Sequence, residues 1–561
     1  MPGPGRRARR PGPIAASGAR SAAPAGPSEV AAPRDAPGSA LAPFASRAFL
    51  VIWLASVVGN LGTWMRDVAS GWVMTSLSPS PVMVALVQAA ASLPAMLLAL
   101  PAGVLADLID RRRLLLQVQV FLTCVSLVLA VFAGAGLLTP WLLLALVLAG
   151  GMAAALAAPA WQTSVPELVP RAHLRAAVAL NSTGFNVSRA VGPALGGLVL
   201  TTLGVAATYA ADALSYVAVI AALLWWRREV PQSTVPPESV PGALRAGLRY
   251  ALHAPPLRRV LLRAAVFFAF GAAHWALLPL VARQVLEGGA GLYGLLLGGI
   301  GFGAVGGALL LPLLRARLGG GDAVLVAGSL ASAAAQAGLA LTPSAPFAIG
   351  ICILAGIGWI MALTTLNATA QAVLPDWVRG RGLALYLTVF SGGMTVGSIG
   401  WGQLATVIGI APALLVAASA GALAAIAMRV RPLPAGEASL DPSHHWPEPV
   451  LAMEPSRDGP VAVTVEYRVP PERHAAFRAA IAPLGQARRR DGAMAWGVFV
   501  DAEDPARIVE WFLLASWAEH QRQHARVTQA DRDVQQALRA FHDGPPPRVT
   551  HLLALAPEAR P

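Results

Sequence analysis

Lysine is absent from this 561-residue chain, so arginine carries all of its basic side-chain charge. Charge of either sign is scarce, at 13% of residues, against about 25% in a soluble globular protein. Cysteine is nearly absent as well. Cys124 and Cys352 both fall inside apolar runs and read as small buried hydrophobes. Two such residues exclude a disulfide framework and a cysteine-based zinc site. What remains is 56% hydrophobic, with 55 glycines and 46 prolines, both commoner in membrane helices than in soluble ones. The deficit of charge points to lipid as the solvent. The net charge of +13 would suit nucleic acid only if the arginines shared one face, and their positions exclude that.

Residues 1–43 are rich in Pro, Ala, Gly and Arg and cannot bury enough apolar surface to fold. They read as a disordered basic cytoplasmic arm. Arg6-Arg7 and Arg9-Arg10 lie too far from the first apolar run for a twin-arginine signal. From 44 to 431 the chain is a succession of apolar runs, each long enough for the roughly 20 residues a membrane helix needs. Twelve spans are predicted, at 48–75, 82–106, 114–137, 140–160, 175–200, 204–226, 260–282, 292–314, 323–341, 346–368, 383–407 and 410–429. Their connections alternate in charge. Arg111-Arg112-Arg113, Arg171 and Arg175, Arg227 to Arg259, Arg315 and Arg317, and Arg379 and Arg381 lie on one set, and almost only Arg283 on the other. Cytoplasmic loops hold the excess of basic residues, which places both termini in the cytoplasm and the chain in the cytoplasmic membrane.

The longest internal connection, 227–257, divides the spans into halves at about 44–226 and 258–431. The halves resemble each other: Val165-Pro166-Glu167-Leu168 with Arg171 corresponds to Val373-Leu374-Pro375-Asp376 with Arg379, and Thr63-Trp64 to His274-Trp275. Two six-helix repeats imply a small-molecule site near mid-membrane between them. The predicted fold is thus an all-α polytopic membrane protein followed by a small α+β domain.

After the second span, Gly103 would let the helix end pack closely, Asp107 could sit at a neighbouring helix N-terminus, and Arg111 and Arg112 would anchor the basic face. This segment resembles the loop motif of the major facilitator superfamily, with Leu108 and Asp110 departing from it. Arg315-Ala316-Arg317 lacks the corresponding aspartate, so any latch is one-sided. In span five, Gly192-Pro193-Ala194-Leu195-Gly196-Gly197 reads as a tight helix crossing. It is also similar to the antiporter motif of that superfamily's exporters, although Ala179 and Ser188 replace upstream glycines. Gly62 to Trp72, Ser78-Pro79-Ser80-Pro81, Arg189-Ala190-Val191-Gly192-Pro193 and Leu278 to Arg283 together resemble the transmembrane secretion effector group, which includes enterobactin-exporter-like proteins. That resemblance implies the major facilitator fold and proton-driven export of siderophores or other small amphipathic molecules. Span four lacks the arginine many drug–proton antiporters place there.

Asp67, Arg189, Asp212 and His274 lie well inside predicted spans. A charge at the bilayer centre costs about 2.5–3.5 kcal/mol, so such residues face a cavity or one another. Asp67 and Asp212 both fall about 12 Å below the outer surface at 1.5 Å per residue, with Arg189 slightly deeper. A carboxylate that meets Arg189 in one conformation and leaves it in another could carry a proton, with Asp67 the first candidate and Asp212 the second. The alternative is a structural ion pair. Arg66 reads as snorkelling, His274 as a proton-coupling or substrate candidate whose simpler reading is a hydrogen-bonded packing residue beside Trp275, Trp64 as a substrate candidate, and Met65, Met74 and Met361 as core.

A Pro-rich linker over 432–459, with His444 and His445, precedes a domain over 460–556. Strands are predicted at Val461–Val469, Trp496–Val500, Arg507–Leu514 and Arg548–Leu555. Helices are predicted from Pro471, from Ser516 and over Gln529–His542. The order β-α-β-β-α-β is ferredoxin-like. It resembles the dimeric α/β-barrel fold of cofactor-free antibiotic-biosynthesis-type monooxygenases and related haem-binding proteins. His520 and His524, one helical turn apart, could both reach one metal or haem, but paired histidines on a polar helix read first as solvated; Trp496, Trp511 and Trp517 could line a small pocket but read first as core. No metal or cofactor is expected, and no catalytic residue. The expected partners are the bilayer, a small molecule, protons and a second copy through this domain. The competing reading is a membrane-tethered oxygenase or haem protein, but twelve spans exceed what an anchor requires.

Overall fold

The computed structural model describes residues 3, 40–226, 240–342, 344–434, 439–443, 445–446 and 459–554. The expected arm over 1–43 and His444 lie almost wholly outside them, as do the side chains at 100, 104, 106–108, 171 and 240–246.

The membrane region consists of α1 (Arg47–Leu77), α2 (Pro81–Leu108), α3 (Arg111–Gly134), α4 (Pro140–Ser164), α5 (Leu174–Thr202) and α6 (Gly204–Trp225). A connecting helix α7 (Val240–His253) follows. The second set is α8 (Pro255–Leu280), α9 (Ala290–Leu318), α10 (Gly321–Leu341), α11 (Ala345–Ala372), α12 (Arg379–Ile408) and α13 (Ile410–Ala427). Local chemistry sets the breaks. Ser46, Asp110 and Thr139 cap α1, α3 and α4 by accepting from the backbone of Phe49, Arg113 and Leu142. Proline opens α2, α4 and α8, where its missing N–H costs nothing.

Among the described residues, eleven helices are long and apolar enough to cross a membrane. The twelfth long helix of the array is α5. Asn181, Asn186 and Arg189 dilute its hydropathy because it lines the interior. The 227–257 connection contains α7, a helix the proline content had hidden.

The packing has internal two-fold correspondence. In the first half α1 packs on α5 and α6, α2 on α4, and α3 on α4 and α6. In the second α8 packs on α12 and α13, α9 on α11, and α10 on α11 and α13. The halves meet through equivalent pairs, α2 with α12 and α5 with α9. Large apolar side chains such as Trp141, Leu214, Phe302 and Leu309 are exposed on the outside of the array, as a lipid-facing wall requires. Cys124, expected to be buried, is exposed there too, because lipid replaces the core as its apolar surroundings; Cys352 is buried.

The C-terminal domain runs β1 (Val461–Arg468), α14 (His474–Asp491), β2 (Ala495–Val500), β3 (Arg507–Leu514), α15 (Trp517–Arg526), α16 (Gln529–Arg539) and β4 (Arg548–Leu553). Its antiparallel sheet has the strand order β2-β3-β1-β4. Alternate residues of β1 and β3, including Val463, Val465, Ile508 and Phe512, pack with Phe477, Ile481 and Leu538 of the helices. Trp517 joins this core, whereas Trp511 lies on the other face of the sheet, stacked on Phe499 at 6.4 Å. His520 is buried, at 2% exposure, not solvated. The described part of the linker also packs: Ser443 donates its backbone N–H to Val527 and its hydroxyl contacts His445, which contacts Gln535.

The domain docks on the arginine-rich end of the array. Glu519 of α15 pairs with Arg249 of α7 at 2.9 Å and with Arg526 at 2.7 Å, and Arg526 stacks over Trp377, between α11 and α12, at 4.4 Å.

Candidate functional site

A cavity of about 1210 Å³ lies between the two halves. Its walls come from α1, α3, α4, α5, α6 and α11, with Arg379 at the start of α12. Gln119, Gln162, Asn181, Asn186, Asn367 and Gln371 supply hydrogen-bonding groups, and Trp161 and Phe185 supply aromatic surface. The lining residues of α4, α5 and α11 fall in the parts of those helices nearest the arginine-rich end.

At the opposite end the halves close. Gly197 of α5 meets Gly294 of α9 so tightly that a Cβ on Gly197 would lie 2.8 Å from Gly294 Cα. Nearer the middle of α2 and α12, Ser92 and Thr395 share a hydrogen bond at 2.8 Å. Arg283, beyond α8, donates to Thr75 at 2.9 Å and to Ser76, and covers the ring of Trp72, which stacks on Tyr293. The cavity is therefore accessible from the arginine-rich end and sealed at the other.

An ionic node borders the cavity. Arg66 pairs with Asp67 at 3.1 Å, donates to Tyr216 at 3.0 Å and lies 3.9 Å from Asp212. Tyr216 also shares a hydrogen bond with Thr63 at 2.9 Å, and Ser126 donates to Asp212 at 2.6 Å. Asp212 is completely buried, and its Oδ1 has no hydrogen-bond partner among the described residues. Asp67 is 44% exposed and the Arg66 side chain 11%. Gly62 makes this approach of α1 to α6 possible, since a Cβ there would collide with Ser215 and come within 2.9 Å of Asp212.

In this conformation Arg189 pairs with neither aspartate. Arg189 lines the cavity and donates to Asn186 at 3.0 Å, while Arg66, read as a snorkelling residue, holds both carboxylates. The reason is helical phase. Gly59, Gly62, Thr63 and Arg66 share one face of α1, and Asp212, Ser215, Tyr216 and Val219 share one face of α6, at the i, i+3, i+4, i+7 spacing that makes two helices meet. That spacing was the available signal. Tyr216, Ser126 and the polar cavity wall go unread, and Thr63 marks only the internal repeat, because lone hydroxyls and amides in apolar runs carry no periodic mark.

His274 is buried elsewhere, with Nδ1 3.5 Å from Gln336 and its ring against Trp275 and Trp359. Trp64 is turned toward α5, where a Cβ on Gly192 would lie 2.7 Å from Trp64 Cβ. Gly196 meets the backbone of Met65 in the same way, so Gly192 and Gly196 serve α1 and Gly197 serves α9. Pro193 is in the interior of α5, with its carbonyl against Gly294. Met65, Met74 and Met361 are buried.

In the motif after α2, the Asp107 side chain lies outside the described residues. Gly103 does not pack closely here: among the described residues nothing lies within 4 Å of where its Cβ would be. Arg111 pairs with Glu167 at 2.7 Å. Arg112 donates to the carbonyls of Leu223 and Leu224, at the C-terminal end of α6 where a cation is favoured. Both arginines tie the first half together.

In the docked domain, burial pushes Glu519 up, but Arg526 and Arg249 outweigh it and hold the carboxyl below its ordinary value. Burial, then the neighbouring His524 and His551, push His520 down to about 3, and burial foremost pushes His524 down to about 4.

The chain matches the family model described as transmembrane secretion effector over residues 38–560, tail included. It is 25% identical over 374 residues to the multidrug efflux pump Tap of Mycolicibacterium fortuitum, covering 64% of this chain and 90% of that protein. It is 24% identical over 265 residues to the staphyloferrin A transporter of Staphylococcus aureus, covering 46% of this chain and 65% of that one. Among solved structures, a bacterial homologue of the human lysosomal transporter Spinster, inward-facing and unoccupied, aligns with a TM-score of 0.52 at 15% identity, over 69% of this chain and 95% of that one. A POT family transporter in complex with a thioalcohol-conjugated peptide aligns with a TM-score of 0.57 at 11% identity, over 68% and 96%. The helical array is thus a transporter fold, and this chain belongs to the transmembrane secretion effector family of membrane transporters.

Proposed function

We propose that this protein is a proton-coupled exporter of a small amphipathic molecule, a siderophore, drug or secondary metabolite, across the cytoplasmic membrane. The observation that carries the coupling is the Arg66–Asp67–Asp212 node on the wall of a cavity sealed at one end. A buried carboxylate with an unbonded oxygen and a cation at 3.9 Å is poised between two states. A helix shift that moves Arg66 away removes its counter-charge, and a bound proton can then replace it. Export is supported by the relatives, a multidrug efflux pump and a siderophore transporter. The cavity exceeds the roughly 300–1,000 Å³ of a drug-sized pocket. Its amides and aromatic rings suit an amphipathic ligand, and Arg189 offers an anchor for an anionic group.

By the positive-inside rule the arginine-rich end faces the cytoplasm, and the cavity is then loaded from inside. The functional units run over 44–431, with halves 44–226 and 258–431 joined by 227–257, and over 460–556 beyond a linker at 432–459. The tail's strand order supports a ferredoxin-like fold of the dimeric α/β-barrel kind. Its uncovered sheet face, with Trp511, Phe499 and Leu552, suits a second copy.

The test is transport in proteoliposomes under an imposed pH gradient. Asp67→Asn and Asp212→Asn should each abolish uphill pumping while downhill exchange and substrate binding persist. If both variants still concentrate substrate, the node is structural and the proton route lies elsewhere.

A further inference from the structure

The imidazoles of His520, His524 and His551 converge at the seam between the C-terminal domain and its linker. His520 and His524 project from one face of α15, and His551 comes from β4. The Nε2 atoms of His520 and His524 are 3.2 Å apart, and one nitrogen from each of the three residues lies within 4.8 Å of the others. Two imidazole nitrogens on one zinc ion, each at about 2.0–2.1 Å in tetrahedral geometry, stand about 3.3 Å apart. The helical pair is therefore already at ligand separation, and His551 needs only a ring adjustment to join it.

The surroundings are those of a built site. His520 is 2% exposed and its Nδ1 has no hydrogen-bond partner among the described residues. Buried Gln523, on the same helix, has neither amide atom bonded. Unpartnered buried polar atoms are rare; the Gln523 amide lies beside the His520 ring, where its oxygen can take the Nδ1 proton and leave Nε2 for a metal. Trp517 and Trp446 wall the cluster, Trp446 edge-on to His524 at 4.8 Å. Arg488, the nearby cation that would oppose a metal, is neutralised by Glu510 at 3.0 Å.

We propose that His520, His524 and His551 bind one transition-metal dication of the zinc class, with a fourth position open to water. Imidazole is a good ligand for such ions, and three neutral ligands leave the metal its full charge. The site also has a mechanical address. Glu519 precedes His520 on α15 and pairs with Arg249 of α7, so fastening α15 to β4 stiffens the element that docks the tail on the transporter.

The experiment uses the full chain, purified in detergent without a polyhistidine tag, stripped with chelator and titrated with Zn²⁺ or Co²⁺ alone. One equivalent should bind, and Co²⁺ should give the visible ligand-field bands of a four-coordinate nitrogen-rich centre. His520→Ala and His524→Gln should each weaken binding more than about 100-fold, beyond the cost of an outer-shell change, while His542→Ala leaves it unchanged. His524→Gln keeps a polar side chain of similar size, and circular dichroism of each variant separates ligand loss from unfolding. No stoichiometric binding in the wild-type chain, or equal binding in a folded His520→Ala/His524→Gln double variant, would overturn the site. The three histidines would then be a packed hydrogen-bonded cluster.

Discussion

Arg283, just beyond α8, donates to the hydroxyl of Thr75 at the far end of α1, 2.9 Å away, and so fastens one half of the transporter to the other. The contact lies at the sealed end, above the stacked pair Trp72 and Tyr293. Arg283→Ala removes it. A hydrogen bond to a charged group contributes about 1.5–3 kcal/mol when buried, and its partial exposure lowers that here. The sealed state should lose about 1 kcal/mol, roughly a five-fold shift in population. Distances between spectroscopic labels on the far ends of α1 and α9 should broaden toward longer values. An unchanged distribution would mean that glycine packing alone closes this end.

Gly197→Val tests that packing directly. The added side chain meets the Gly294 backbone, which cannot move aside as a flexible side chain could. Transport should fall at least ten-fold, with protein still inserted in the membrane and the α5–α9 end splayed. Gly103→Ala meets nothing in the present conformation. If the helix ends it faces come together when the cavity closes, that variant should slow turnover without altering substrate affinity in the open state.

Removing Arg66 should be more damaging than removing either aspartate. Arg66→Ala strands the buried Asp212 carboxylate, and breaking a buried pair costs about 3–5 kcal/mol. Thermal stability in detergent should drop sharply. Adding Asp212→Asn should restore part of it, because the amide is uncharged and its carbonyl can still accept from Ser126. Additive losses in this double-variant cycle would show that the two side chains do not interact.

Glu519→Gln weakens the docking of the tail, since one carboxylate now serves both Arg249 and Arg526. Limited proteolysis should release the tail several-fold faster, while an isolated fragment of residues 455–561 keeps its α/β circular dichroism. Equal cleavage rates would place the docking energy in the Arg526–Trp377 and Arg490–Tyr250 stacks instead.

Reporter fusions check the sidedness. Those after Leu77, Leu138 and Thr201 should read as external and those after Arg113, Arg171 and Arg431 as cytoplasmic, by the arginine distribution. An external reading at Arg113 would invert the loading direction.

The sequence by itself determined what depends on composition and local period. Apolar runs fixed the long helices, because lipid demands about 20 such residues whatever the neighbours are. Alternation along Val461–Arg468 fixed a strand with one buried face. Pro and Gly fixed the breaks. Only the tertiary structure decided who meets whom. Arg66 and Asp67 are adjacent in sequence, yet the partner that matters for Arg66 includes Asp212, on another helix and completely buried. Arg189, equally charged and at similar depth, faces the cavity. His551 joins His520 and His524 only because the sheet brings β4 beside α15. The physical reason is common to all three: a side chain's direction is set by helix rotation and strand register. In a chain this apolar, packing between elements chooses that rotation, and the sequence of one element carries little record of it.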